Sequence, residues 1–275
     1  MTSHPPAKIN LSLTIKGQRD DGFHEVETVV LPLPGLTDRL TFEEDDSFSL
    51  HCTTPGVPTD GRNLVSRAVL LFEEKTGIPC PYRVTLEKKI PHGAGLGGGS
   101  ADAAHALLIL NHLTASKVPL ETLAAWSATI GSDLPLFLYQ APCRCRGRGE
   151  IIEPLDLYWT RPILLFKASF GIPTPWAYSR WKESQEILGI SYTEQKSEGI
   201  TLVNDLERPV FEKHRFLAEL KQFLVEQPES EAALMSGSGS TVFAILRDAK
   251  DAETLRTRTL AELDPTLWTH LCQFS

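Results

Sequence analysis

The sequence predicts an α+β fold. Alternating strand patterns crowd its first third, helical periodicity dominates the middle, and strands and helices then mix without the regular rhythm of a parallel βαβ sheet. The first strand is the clearest: Ile9, Leu11, Leu13 and Ile15 alternate with Lys8, Asn10, Ser12 and Thr14, one apolar and one polar face. Asp21-Gly22 is a tight-turn signal, after which residues 23–33 (FHEVETVVLPL) return as a second strand. Residues 40–50 and 82–89 read as one further strand each, and NLVSRAVLLFEEKTG as a helix that Gly77 stops.

In the middle, Ala104, Leu107, Leu108 and Asn111 form an i, i+3, i+4, i+7 stripe, and 120–130 is a second, short helix. Residues 144–152 read as a strand. Pro154 and Pro162 bracket a linker at 155–161, which divides the chain into domains 1–157 and 158–275. Beyond it come a buried strand (RPILLFKAS), a helix at 216–225, a strand–turn–strand unit (ALMSGSGSTVFAILR) and a helix at 249–263.

Composition narrows the function. The chain has 275 residues, 41% apolar and 23% charged, as ordinary globular proteins do. No run reaches the ~18 apolar residues of a membrane span, and MTSHPPAKINL has no secretory pattern, so a cytoplasmic protein is expected. Cys52, Cys80, Cys143, Cys145 and Cys272 include one C-x-C step without a partner pair, so reduced thiols and no metal site are expected. The net charge of −8, with cations scattered, argues against a nucleic-acid partner. Arg144, Arg146 and Arg148 alternate as on a solvated strand face.

The informative segment is EKKIPHGAGLGGGSADAAHALLIL. A strand ends at Ile90-Pro91, five glycines follow within seven residues, and a helix is expected to open at Ser100, its N-cap. Glycines let backbone N–H groups turn inward, and a helix start adds unpaired donors and a positive dipole end, which together suit a phosphate. Gly93, Gly95 and Gly98 match G-x-G-x-x-G, but 90 residues into the chain the dinucleotide context is missing. Gly99 stands where a P-loop lysine would, so a phosphoryl transferase on this loop must draw its lysine from elsewhere. A side chain at Gly97 is expected to block nucleotide entry. Asp102, in the first helical turn, suits the dipole whatever the function.

Transfer to an alcohol also needs a proton acceptor and cations on the phosphoryl oxygens. Lys8 and Asn10 share one strand face, so both can enter one cleft, or both can lie on an exposed edge. Asp133, in IGSDLPLF, reads alone as a turn or cap residue. Gly237-Ser238-Gly239-Ser240 reads as a flexible hairpin loop, with or without function.

Four separated segments, PAKINLSL, PHGAGLGGGSADAA, IGSDLPLF and LMSGSGSTVF, resemble in order the motifs of the GHMP kinase superfamily. DGFHE after the first strand and IPTP at 172–175 point to the branch acting on cytidine-diphosphate-linked methylerythritol; GRGE at 147–150 and NDLE at 204–207 are supporting matches. The resemblance implies a two-lobed architecture, an N-terminal S5-like nucleotide lobe and a C-terminal ferredoxin-like lobe with substrate between. It implies ATP, Mg²⁺ bound with the nucleotide, and phosphorylation of the tertiary 2-hydroxyl in the non-mevalonate isoprenoid pathway. Partners are then a small-molecule substrate and ATP, with neither nucleic acid nor membrane, and self-association at most as a weak homodimer.

The resemblance also assigns roles. Asp133 becomes the general base and Lys8 its neighbour, keeping that carboxylate ionised. Pro91, His92, Gly93, Ala94, Gly95, Leu96, Gly97, Gly98, Gly99, Ser100 and Ala101 wrap the ATP phosphates. Asn10 orients the substrate, His24 hydrogen-bonds the cytosine, and Phe23 and Tyr178 stack on it. Ala101 stands where the family often has a second serine, Phe23 where it often has tyrosine, and 179–203 matches no motif. The rivals are another GHMP kinase, for homoserine, mevalonate, phosphomevalonate or a sugar, and a nucleotide-binding regulator that has lost catalysis.

Overall fold

The computed structural model describes residues 1–274. In chain order the elements are β1 (Thr2–Ser3), β2 (Pro6–Gln18), β3 (His24–Thr37), β4 (Arg39–Glu44), β5 (Ser49–Cys52), α1 (Leu64–Thr76), β6 (Tyr82–Glu87), α2 (Gly98–Leu113), α3 (Leu120–Ser127) and α4 (Leu134–Leu138). They continue with β7 (Cys143–Gly147), β8 (Ile151–Pro154), β9 (Ile163–Lys167), α5 (Thr174–Arg180), β10 (Gln195–Ser197), β11 (Ile200–Asn204), α6 (Glu207–Lys213), α7 (Arg215–Glu226), β12 (Ser230–Met235), β13 (Thr241–Leu246), α8 (Ala252–Glu262) and β14 (Trp268–Cys272).

Three sheets organise them, in the orders β1-β4-β6-β5, β10-β11-β2-β3-β7-β8 and β12-β13-β9-β14. The long antiparallel β2–β3 pair is the spine, with Lys8 opposite Pro32 and Asn10 opposite Val30. Helices α1 and α2 close over the first sheet, burying Phe42, Phe72, Leu86 and Leu107. The third sheet comes wholly from beyond residue 158, and its strand β9 is buried throughout. Strand β11 crosses back to pair in parallel with β2, Val203 beside Ser12, so the unmatched 179–203 segment supplies part of the central sheet.

Several expectations change. Residues 40–50 form two strands, because the acidic turn after Glu44 lets β5 run parallel to β6 while β4 runs antiparallel to it. Residues 144–152 also form two strands, turning through Gly147 and Gly149 at φ 74° and 110°. Of the two alternatives for the polar face of β2, its start takes the cleft: Lys8 and Asn10 are buried beneath the loops described next, while Ser12 and Thr14 are half-buried and Lys16 is exposed.

Candidate functional site

Strand β2, the 91–97 loop, the starts of α2 and α4, the β7–β8 turn, α5 and the 236–239 turn converge on one cavity of about 780 Å³. The loop is anchored on β2, where the Lys8 backbone N–H donates to the Leu96 carbonyl at 3.0 Å. It is also sewn to the 236–239 turn, where the Ser236 hydroxyl donates to the Gly95 carbonyl at 3.0 Å. Gly95 has φ 75°, and a Cβ there would stand 2.2 Å from the Ser236 carbonyl oxygen, so the two turns touch backbone to backbone. The second glycine-serine turn is therefore a wall of the cavity. Asn204, of the NDLE segment, holds it by donating to the Met235 and Gly237 carbonyls at 2.7 and 2.8 Å.

Helix α2 begins at Gly98, not Ser100; its N-cap is Gly97 at φ 70°. Ser100 therefore lies inside the first turn. The helix opens two residues early because Gly97 adopts a left-handed conformation that side chains disfavour, which lets Gly98 and Gly99 turn helically. A Cβ on Gly97 would sit 2.7 Å from the Phe137 ring and 3.1 Å from Lys8 Cγ. It would press on the Phe137 ring first and on the lysine stem beside it.

Lys8 and Asp133, 125 positions apart, meet here. Lys8 Nζ is 3.7 Å from Asp133 Oδ2; the lysine side chain is 5% exposed and the carboxylate 48% exposed. Lys8 also donates to Asn10 Oδ1 at 2.7 Å, and Asn10 Nδ2 donates to Thr28 Oγ1 at 2.8 Å, which fixes the amide's orientation. Asp133 occupies the N-cap position of α4 without capping it; its carboxylate faces the cavity.

The aromatic residues sit at one end. Tyr178 lines the cavity, and burial, followed by the Asp133 charge, pushes its phenol pKa up. His24 packs on it with centroids 5.4 Å apart, and burial lowers the imidazole pKa, so it is neutral at pH 7. Phe23 is 49% exposed and lies under the Arg148 guanidinium, 4.7 Å from the ring centroid. Phe23 and His24 do not themselves line the cavity; they back Arg148 and Tyr178, which do. The alternation reading holds for Arg144 and Arg146, which pair with Glu153 on the sheet surface, but fails for Arg148, which the β7–β8 turn swings inward.

A buried charge cluster beside the helix start escaped the sequence reading. Lys88 Nζ donates to Asp102 at 2.6 Å and to Asp38, and Asp38 also accepts the backbone N–H groups of Lys89 and Ile90 at 2.5 and 2.9 Å. Two carboxylates share one ammonium, and burial pushes the Asp102 pKa up to about 7 despite Lys88. Its Oδ1 has no hydrogen-bond partner among the described residues. Asp102 is thus no surface dipole residue. The signal for this was its setting among Ala101, Ala103, Ala104 and Ala106, small residues that let a helix be buried all round, where an acid must be paired. Among the described residues no group of three His, Cys, Asp or Glu side chains could hold a metal ion.

Comparison with known proteins places the chain among its relatives. Residues 63–141 match the family model described as GHMP kinases N terminal domain, and residues 185–261 that described as GHMP kinases C terminal. The 4-diphosphocytidyl-2-C-methyl-D-erythritol kinase of Methylacidiphilum infernorum is 38% identical over 98% of this chain and 96% of its own length. A crystal structure of 4-(cytidine 5'-diphospho)-2C-methyl-D-erythritol kinase is 34% identical, with TM-score 0.79 over 100% of both chains. The Methanococcus jannaschii mevalonate kinase structure (10% identical, TM-score 0.70, 100% of this chain and 98% of that one) shares the fold alone.

Proposed function

The chain belongs to the 4-diphosphocytidyl-2-C-methyl-D-erythritol kinase family of GHMP kinases, and we propose from that premise that it transfers the γ-phosphoryl group of ATP to the 2-hydroxyl of 4-diphosphocytidyl-2-C-methyl-D-erythritol. The observation that carries the reading is the 3.7 Å approach of Lys8 to Asp133 inside the cavity that the glycine loop lines.

The mechanism follows from the positions. Backbone N–H groups of 93–99 and the start of α2 hold the triphosphate. Asp133 takes the hydroxyl proton as the oxygen attacks the γ-phosphorus and the bond to ADP breaks. Lys8 lies over the charge that builds on the transferred group, and its bond to Asn10 Oδ1 holds the ammonium in place. The donors at the site, the Asp133 carboxylate and the Ser100 hydroxyl, fit a magnesium ion carried in by the nucleotide rather than caged by protein; when bound it neutralises phosphate charge. Tyr178, with His24 packed behind it, forms the cytosine end.

A boundary at 157/158 belongs to the same reading, with the β10–β11 hairpin returned to the first domain's sheet. So does a cytoplasmic setting, where free Cys52, Cys80, Cys143, Cys145 and Cys272 stay reduced. Among the described residues no helix is long and apolar enough to cross a membrane.

An ATP-coupled assay against the cytidylyl substrate, homoserine and mevalonate, run side by side, tests the substrate. The cytidylyl compound should win in kcat/KM by at least ~100-fold; preference for either rival would replace this reading with theirs.

A further inference from the structure

We propose that Arg148 is a specificity-determining residue that grips the diphosphate of the acceptor substrate; this rests on the acceptor named above. That acceptor is a linear string of cytosine, ribose, diphosphate and branched alcohol. Its alcohol must reach Asp133 and its base must reach Tyr178, so its diphosphate lies between them.

The β7–β8 turn spans that interval. At one side the Arg148 guanidinium covers Phe23 at 4.7 Å. At the other, a Cβ on Gly149 would stand 3.7 Å from the carbonyl oxygen of Ser132, the residue before Asp133. Arg148 and Gly149 both line the cavity. The Glu150 carboxylate fixes the turn by accepting the Arg148 backbone N–H at 2.5 Å, yet it approaches the guanidinium no closer than 3.9 Å. The fork of the side chain, 34% exposed, is therefore left to another acceptor.

Charge leads to the same residue. Of the cavity's other cations, Lys88 is neutralised by two aspartates, Arg62 is held by Asp60, Lys89 flanks the glycine loop, and Lys8 is committed to Asp133 and Asn10. In a chain of net charge −8, a dianionic linker needs a local cation. A planar guanidinium offers paired donors that suit it, and stacking on Phe23 orients the fork without occupying those donors.

The test uses full-length Arg148→Met and Arg148→Lys enzymes. Arg148→Met should raise the acceptor KM roughly 10-fold or more, in line with a lost charge-assisted contact, while the ATP KM stays within about twofold; Arg148→Lys should recover part of the loss. Calorimetric binding of CDP and of cytidine is measured alongside, without turnover. Wild type should prefer CDP, and the preference should collapse in Arg148→Met with cytidine affinity unchanged. An unchanged CDP preference, or equal weakening of ATP and acceptor, would overturn the assignment. If wild type failed to turn over the cytidylyl substrate yet kept an Arg148-dependent preference for CDP, the substrate reading would fall and the diphosphate grip would stand.

Discussion

Asp38 is the residue whose removal should be felt furthest from its own position. Its carboxylate is fully buried and ties the end of β6 to the glycine loop, accepting Lys89 N–H at 2.5 Å, Ile90 N–H at 2.9 Å and the Lys88 ammonium. Truncation in Asp38→Ala leaves the buried Ile90 donor and the part-buried Lys89 donor unpaired, at about 1–3 kcal/mol for the first and less for the second. The ammonium keeps Asp102, and relief of the repulsion between the two carboxylates offsets part of its loss. The net cost is then about 2–5 kcal/mol. Asp38→Asn keeps an oxygen for both N–H groups and should cost about 1–2 kcal/mol. Urea unfolding gives both values, and steady-state kinetics should show the ATP KM rising in Asp38→Ala more than the acceptor KM, because the strand end feeds the loop. If Asp38→Asn were as damaging as Asp38→Ala, or if both were neutral, the backbone-anchoring account would be refuted.

Three other variants probe neighbouring claims. Asp102 holds its proton up to about pH 7 in the folded protein, against an ordinary value of 3.8. This acid therefore costs nothing below pH 4, increasingly more between 4 and 7, and its full penalty above. Asp102→Asn should accordingly gain stability over wild type as the pH rises from 4 to 8, by up to about 4 kcal/mol; a constant difference across that range would contradict the buried, proton-holding carboxyl. Gly97→Ala places a methyl against Phe137 and Lys8 at positive φ, so kcat should fall at least ~10-fold, a displacement of Lys8 by a few tenths of an ångström being enough, and a loss confined to the ATP KM would show the clash lies elsewhere. Phe23→Ala removes the platform under Arg148 and should raise the acceptor KM about 3–10-fold with the ATP KM unchanged; parallel losses would count against the aromatic end.

How much of this the sequence disclosed depended on range. A period-2 pattern located β2 and a period-3.6 stripe located α2, because burial of one face imprints itself on neighbouring residues, while the unbroken apolar run of β9 marked a strand buried on both faces. The same patterns could not show that the start of β2 is covered on both faces, since Lys8 and Asn10 look solvent-facing until the loops above them are placed. The short elements α4, α5, β10 and β14 have too few residues to carry a period. At the site, the glycine loop was legible as a phosphate cradle on chemistry alone, whereas the roles of Lys8 and Asp133 came from family likeness. For the cluster of Asp38, Lys88 and Asp102 only the alanine setting of Asp102 was a local signal; its partners, 50 and 14 positions apart, become one unit only by folding.

The family account stands most directly on the proton acceptor at the Lys8 end of the cavity. Single-turnover phosphoryl transfer by Asp133→Asn, with nucleotide affinity measured on the same preparation, reaches it without intermediates. A rate lowered by about 10²–10⁴ with ATP affinity held within twofold is the predicted result. Transfer at the native rate would contradict it, and the alcohol's proton would have to leave by a route that bypasses this carboxylate.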